Sequence, residues 1–510
     1  MGGSDRIGVA RRPSVAVIGG GIAGLAAALR LSDEFTVKGT PQGVGISVWD
    51  SSPELGGKLR TGSVAGIEID VGAESMLASR PEAVELAGHV GLGSLLEAPA
   101  VSAPGLVRPG GVVRALPPGL VMGIPGDLAG LATADVLSAP SLEMVAAEAD
   151  LPVAPVMSDV SIGRYVRERL GREVVERLVE PLLGGVYAGH ADELSLHACV
   201  PTIFASVADG EPLTVAAAHL LERARAASLE SEFGSADGTK SQRGTESSAG
   251  GSRFVGVQGG VATLIRAVAD RLASQGVVMH MGSTVRGLSR TAHGWRLTVG
   301  SAAAPEYVDV DAVVLATPAL PTSRLLADVD PLVAREVGDI EYASVAVVTF
   351  AFRGRDVEGV GRSSGVLVVP QPDRLVKAST FSSSKWSWLG RQCATRDEPL
   401  VLVRASVGRF GEQSVLQRDD RDLATLAEAE LRPLIGARAG SIDRLVTRWG
   451  GSLPQYRVGH VERVARIRSL LSRTPELAVA GAAYDGVGIA ACIASGHAAA
   501  AQIADAVRSR

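Results

Sequence analysis

Apolar residues along the chain fall into runs of distinct kinds. Val15, Ala16, Val17 and Ile18 form a short unbroken run, followed by Gly19, Gly20 and Gly21 and then an Ala- and Leu-rich stretch over residues 22–31. A short apolar run, glycines and a longer apolar stretch predict strand, tight turn and helix. Ile46, Ser47, Val48 and Trp49 predict a second buried strand, ended by Asp50. Residues 63–71 alternate in strand fashion into Asp70. Over residues 86–202 the spacing becomes mainly helical, with Ile162, Tyr165, Val166, Leu170, Val174, Val175 and Leu178 sharing a face. Residues 311–318 predict a buried strand ended by Pro318, and 343–352, 365–369 and 400–408 predict strands of a second, antiparallel sheet. Residues 477–506 repeat the strand, glycine, helix order of the N-terminus. Residues 229–252 hold very few apolar side chains and are dense in Gly and Ser. Such a segment cannot bury enough surface to offset its ordering entropy and predicts a loop or linker.

Composition narrows the picture. A chain of 510 residues predicts two to four domains. Its 46% hydrophobic content supports sizeable cores, while 4% aromatics leaves most packing to Ala, Val and Leu. A net charge of -5 gives no basic footprint for nucleic acid, so a small-molecule partner is expected. Cys199, Cys393 and Cys492 are widely separated, which argues against a disulfide framework or structural zinc and fits a reducing cytoplasm. His190 and His197 flank Asp192 and Glu193 in no metal-binding spacing, and no metal is expected.

Arg11 and Arg12 before the uncharged residues 15–29 resemble a secretory signal, but three consecutive glycines suit a signal helix poorly. Residues 486–504 approach the roughly 20 residues of a membrane span. Ser495, Gly496, His497 and Gln502 interrupt them. The expectation is a soluble cytoplasmic protein, at most peripheral at a membrane, with no transmembrane segment.

The chemistry begins at Gly19-x-Gly21-x-x-Gly24, between the first predicted strand and helix. There the first glycine permits the tight turn, the second lets a pyrophosphate reach the backbone, and the third lets helix pack on strand. The helix N-terminus adds unpaired N–H groups and partial positive charge. Asp50, closing the next strand, can accept hydrogen bonds from ribose hydroxyls. The alternative is a glycine cluster that only packs a helix, and the motif alone does not separate NAD from FAD.

Two features favour FAD. Gly56-Gly57-Lys58-x-Arg60-Thr61 can wrap backbone and positive charge around an extended dinucleotide. At the other end, Gly481 and the turn of residues 485–489 precede a helix. Folded back, that helix would aim its N-terminus at the flavin ring and stabilise its negative charge on reduction.

The 19–24 glycines, Gly57-Lys58, and Gly72-Ala73-Glu74-Ser75 after Asp70 and Val71 resemble the flavin amine-oxidase superfamily. Residues 181–189, 381–386, Trp449 with 454–460, and 483–489 resemble its protoporphyrinogen/coproporphyrinogen oxidase branch, so the likeness covers nearly the whole chain. It implies an α/β fold: a discontinuous Rossmann-type FAD-binding domain, a sheet-based substrate domain and an inserted helical region. The spans expected are 1–90, 253–325 and 445–510 for FAD, 91–205 helical, lining the active site or facing a membrane, 206–252 loop or linker, and 326–444 for substrate. The resemblance implies FAD contacts at Gly19, Gly20, Gly21, Ile22, Ala23, Gly24, Asp50, Ser51, Gly57, Lys58, Gly72, Ala73, Glu74, Ser75, Val285, Trp449, Gly481, Val487, Gly488 and Ile489. The family usually carries Glu where Asp50 stands.

The activity implied is six-electron oxidation of a porphyrinogen in heme synthesis, with oxygen as acceptor, hydrogen peroxide as by-product and ferrochelatase as a candidate partner. The flavin does the chemistry, and no side chain is assigned as obligate acid or base. Phe381 is expected to stack on the macrocycle, or else to be a core residue. Val186 and Tyr187 are expected as a pocket wall, or else as a packed helix end. Arg80 and Lys385 are candidate partners for substrate carboxylates, against a reading as surface cations. Gly105 stands where protoporphyrinogen oxidases of plants and animals tend to carry an arginine. This turns the expectation toward the bacterial coproporphyrinogen III type, with protoporphyrinogen IX oxidase, another amine oxidase or desaturase, and a non-catalytic porphyrin carrier or scaffold as alternatives.

Overall fold

The structure is a computed structural model and describes residues 12–37, 40–41, 43–233 and 253–509. A five-stranded parallel sheet joins distant parts of the chain, in the order Val278–His280, Gly45–Trp49, Ser14–Ile18, Ala312–Leu315, Leu477–Val479. Both faces are covered, so its strands read as continuous apolar runs. Val15 and Val17 enter one core cluster, and Ala16 and Ile18 the opposite one. The first face is covered by the helices Ile22–Glu34, Ala262–Ser274 and Ile489–Arg508. The helices Ala319–Leu326, Pro331–Gly338 and His460–Leu471 contribute to the core on the second face.

A seven-stranded sheet runs Val113–Ala115, Pro104–Val107, Gly365–Val368, Val376–Thr380, Leu400–Val407, Tyr342–Arg353, Asp443–Pro454. All its pairs are antiparallel except Pro104–Val107 with Gly365–Val368. Two of these strands fall inside the span expected to be helical, and most of Asp443–Pro454 lies in the span assigned to FAD. Pro104–Val107 becomes a strand because a distant edge, Gly365–Val368, supplies its hydrogen-bond partners.

The helical region holds Ile162–Leu170, Glu180–Tyr187, Pro201–Ala208 and Leu213–Phe233 around its own core. The expected linker is therefore helical at its start, because residues 213–225 are rich in the helix formers Ala, Leu, Glu and Arg and Leu213, Ala216 and Ala217 are buried. The rest of that linker, 234–252, lies outside the described residues. Among the described residues no helix is long and apolar enough to cross a membrane.

Candidate functional site

In open parallel sheets ligands collect where strands end. Here four strand ends deliver Gly19, Asp50, Ala316 and Ala480 to the wall of one cavity of about 970 Å³. That lies at the upper end of the roughly 300–1,000 Å³ of small-molecule sites. The seven-stranded sheet closes the other side with residues such as Tyr342, Val347, Thr380, Arg404 and Ser452.

At the first turn Gly19 has φ +115 and donates to the Trp49 carbonyl at 2.8 Å. A Cβ at Gly24 would overlap the Gly19 carbonyl, so this glycine serves packing and is not at the cavity. Gly20 is also off the wall, backed by Leu55 and Asp50. Gly21, Ile22 and Ala23 line the cavity, and a Cβ at Gly21 would stand in open space. No side chain caps the helix Ile22–Glu34, leaving its first N–H groups for a ligand. Asp50 accepts from Gly20 N at 2.6 Å and Ser52 N at 2.7 Å. A carboxylate has about four lone-pair sites, so acceptor capacity remains for hydroxyls. Ser51 and Val285 line the same end.

The middle of the wall holds Gly57, Lys58 and residues 72–75. A Cβ at Gly72 would overlap the Lys58 carbonyl, so only glycine lets these segments meet. The Lys58 ammonium makes no hydrogen bond or ion pair among the described residues, and burial lowers its pKa. An unmatched cation at a cavity wall fits the phosphates of a dinucleotide. Glu74 is bonded to Lys385 Nζ at 2.7 Å and Arg404 Nη1 at 2.7 Å. Burial would raise its pKa, but the two cations overcome this and hold the carboxyl at about 2. Arg404 also donates to the Gly72 carbonyl, and Trp449 Nε1 donates to the Val71 carbonyl at 3.0 Å.

The C-terminal segment completes the enclosure. Gly481, with φ +118, donates its N–H to Ser495 Oγ at 2.9 Å. Val487, Gly488 and Ile489 line the cavity where the uncapped helix Ile489–Arg508 begins, and a Cβ at Gly488 would meet nothing. Cys492 faces the same space, its thiol pushed up to about 11 by burial.

Of the expected substrate contacts the structure brings only Val186 to the wall, where it is 40% exposed. Tyr187 is buried beside Tyr456, since consecutive helix residues point about 100° apart. Phe381 is 1% exposed and sits in the core of the seven-stranded sheet: Ala378 and Thr380 face the cavity, and the chain turns into a helix directly after it. Arg80 begins the helix Pro81–His89 off the cavity and pairs with Glu82 at 2.8 Å. Lys385 is off the wall as well, its charge committed to Glu74. Arg404, Tyr342 and Ser452 also line the wall and are not among the residues expected from the sequence. A charge inside the apolar strand LVLVRASV was the one available signal, since a strand buried on both faces tolerates an arginine only with a partner.

The arrangement binds and orients more than it transfers protons. Burial pushes Tyr342 up to about 12, the Cys492 thiol is likewise protonated at neutral pH, and both Glu74 oxygens are engaged.

The chain is 35% identical over 483 residues to the coproporphyrinogen III oxidase of Mycobacterium leprae, covering 94% of this chain and 96% of that one. It is 29% identical over 486 residues to that of Bacillus subtilis, covering 95% and 96%, and 28% identical over 523 residues to bovine protoporphyrinogen oxidase, covering 96% and 98%. A crystal structure from Exiguobacterium sp. 255-15, assigned as a protoporphyrinogen oxidase, superposes with TM-score 0.78 at 27% identity, covering 97% of this chain and 99% of that one. Cyclohexylamine oxidase from Brevibacterium oxydans, at 16% identity and TM-score 0.65 over 98% and 100%, shares the fold. A family description for flavin containing amine oxidoreductases matches residues 22–504, and the chain belongs to that family, with FAD as its cofactor.

Proposed function

We propose that this chain oxidises coproporphyrinogen III to coproporphyrin III, consuming three molecules of oxygen and releasing three of hydrogen peroxide per macrocycle. The observation that carries the reading is the near full-length likeness to proteins named coproporphyrinogen III oxidases. Bound FAD supplies the two-electron acceptor and its reoxidation by oxygen.

The residues divide the remaining work. Gly19, Gly21, Ile22 and Ala23 would hold the pyrophosphate at the helix N-terminus, with Lys58 adding a cation. Asp50 and Ser51 would take the ribose, and Val285 the same end of the nucleotide. Gly57, residues 72–75, Trp449, Gly481 and 487–489 would hold the rest of the cofactor. Val186, Val345 and Val347 offer the macrocycle an apolar wall that excludes water.

Protoporphyrinogen IX is the second reading, favoured by the bovine match. Gly105 argues against an arginine clamp at that position, because a Cβ there would stand 2.9 Å from Val113 Cγ1. The test supplies the purified flavoprotein with each porphyrinogen and follows porphyrin fluorescence and peroxide. Preferential turnover of the tetracarboxylate is expected. A preference for the dicarboxylate installs the second reading, and no porphyrin from either defeats both.

A further inference from the structure

The strands that wall the cavity continue to a second, small pocket. Lys377 precedes the wall residue Ala378, Gly408 and Arg409 follow the wall residue Ser406, and these three line a space of about 40 Å³ with Arg374 and Glu412. Lys377 occupies a bulge: its neighbours Val376 and Ala378 pair with Val407 and Ser406, and Lys377 itself pairs with nothing across the strand. Its side chain is thereby taken inward, and the residue is 7% exposed.

The charges here do not balance locally. Arg409, 6% exposed, is bonded to Glu180 at 3.3 Å. The Lys377 ammonium makes no hydrogen bond or ion pair among the described residues. Burial first, then the Arg409 charge, brings the Lys377 ammonium down to about 7, with Glu412 opposing. A buried ammonium with no bonded carboxylate, and only the more distant charge of Glu412 to oppose it, is costly, and the space before it holds about three water-sized groups at ~10–15 Å³ each. That is the size of a carboxylate and too small for a phosphate ester.

We propose that Lys377, Arg409 and Arg374 form a binding site for a carboxylate-sized monoanion. The anion comes either from solution or from an acid arm of the macrocycle bound behind the wall at Ala378 and Ser406. Only the second source rests on the porphyrinogen reading.

The test titrates the full-length, flavin-loaded protein with sodium formate and follows its unfolding midpoint, in the wild type and in Lys377→Met. A saturable rise is expected in the wild type and none in the variant. Without formate, Lys377→Met is expected to be at least as stable as the wild type, because the unbonded buried ammonium is gone. Arg374→Gln, altering a half-buried residue, is expected to weaken formate binding about tenfold and decides the matter should the first variant not fold. Equal rises in the wild type and both variants overturn the site. Competition by formate against coproporphyrinogen, with a raised KM in Lys377→Met, assigns the anion to the macrocycle arm. Formate binding with an unchanged KM assigns it to solution. Formate binding by a protein that oxidises neither porphyrinogen keeps the anion site and removes only the reaction.

Discussion

Gly496 of the last helix lies against Ala23 of the first: a Cβ at residue 496 would overlap the Ala23 carbonyl and stand 3.1 Å from Ala27 N. Ala23 is itself at the cavity wall, so the contact ties the glycine turn to the segment of residues 485–489. Arg508 supports the same pairing, reaching Glu34 at 3.0 Å. The helices Ile22–Glu34 and Ile489–Arg508 meet closely here because alanine-rich helices have little side chain to hold them apart.

Gly496→Val is therefore expected to force the helices apart, at the roughly 1–3 kcal/mol typical of overpacking, and to weaken FAD retention more than it weakens the fold. Flavin absorbance of the purified protein, set beside its urea midpoint, checks this. Full flavin content with an unchanged midpoint would sink the idea that this contact positions the cofactor site.

Glu74 links the wall to two cations, Lys385 and Arg404, and all three side chains are largely removed from water. Glu74→Gln leaves two buried cations with one neutral partner and is expected to cost about 3–5 kcal/mol in chemical unfolding. Adding Lys385→Met to that variant should recover part of the loss, because one stranded charge is then gone. Strict additivity in the double variant would mean the triad is not coupled.

Val186 and Phe381 separate substrate contact from core packing. Val186→Trp is expected to raise KM for the porphyrinogen by narrowing the cavity while leaving stability within about 0.5 kcal/mol, as for an exposed position. Phe381→Ala should behave oppositely, losing about 3–5 kcal/mol through a core cavity with KM of the folded fraction unchanged. Steady-state kinetics with matched urea titrations distinguish the two.

What was legible in the sequence follows from what is local. Val15, Val17 and Val48 announce buried strands through their short apolar runs, and the Gly19 and Gly24 turn is encoded within six residues. Pro104–Val107 carries no such mark, since its strand character comes from Gly365–Val368 far along the chain. Lys385 looked available for substrate because Glu74, its partner, is 311 residues away. The direction of Phe381 was equally hidden, set by the helix that starts immediately after it. Local pattern announces the buried strands and the glycine turn, while long-range pairing makes Pro104–Val107 a strand and decides which side chains remain free.

His460 gives the fold a pH dependence whose sign can be worked out. Its ring stacks on Tyr456 at 4.2 Å, and burial, then the Arg463 charge, pushes the imidazole down to about 4 from an ordinary 6.5. Above pH 6.5 the ring is neutral in both folded and unfolded chains and contributes no slope. As pH falls from 6.5 toward 4 the unfolded chain takes up a proton that the folded chain refuses, so stability declines across that window, and below it the slope ends. The full decline amounts to about 3 kcal/mol, at 1.36 kcal/mol per pKa unit. His460→Phe keeps an aromatic face for Tyr456 and removes the proton site. Urea midpoints at pH 7, 5.5 and 4.5 should fall less steeply in the variant than in the wild type, and parallel curves would show that His460 is not the group responsible.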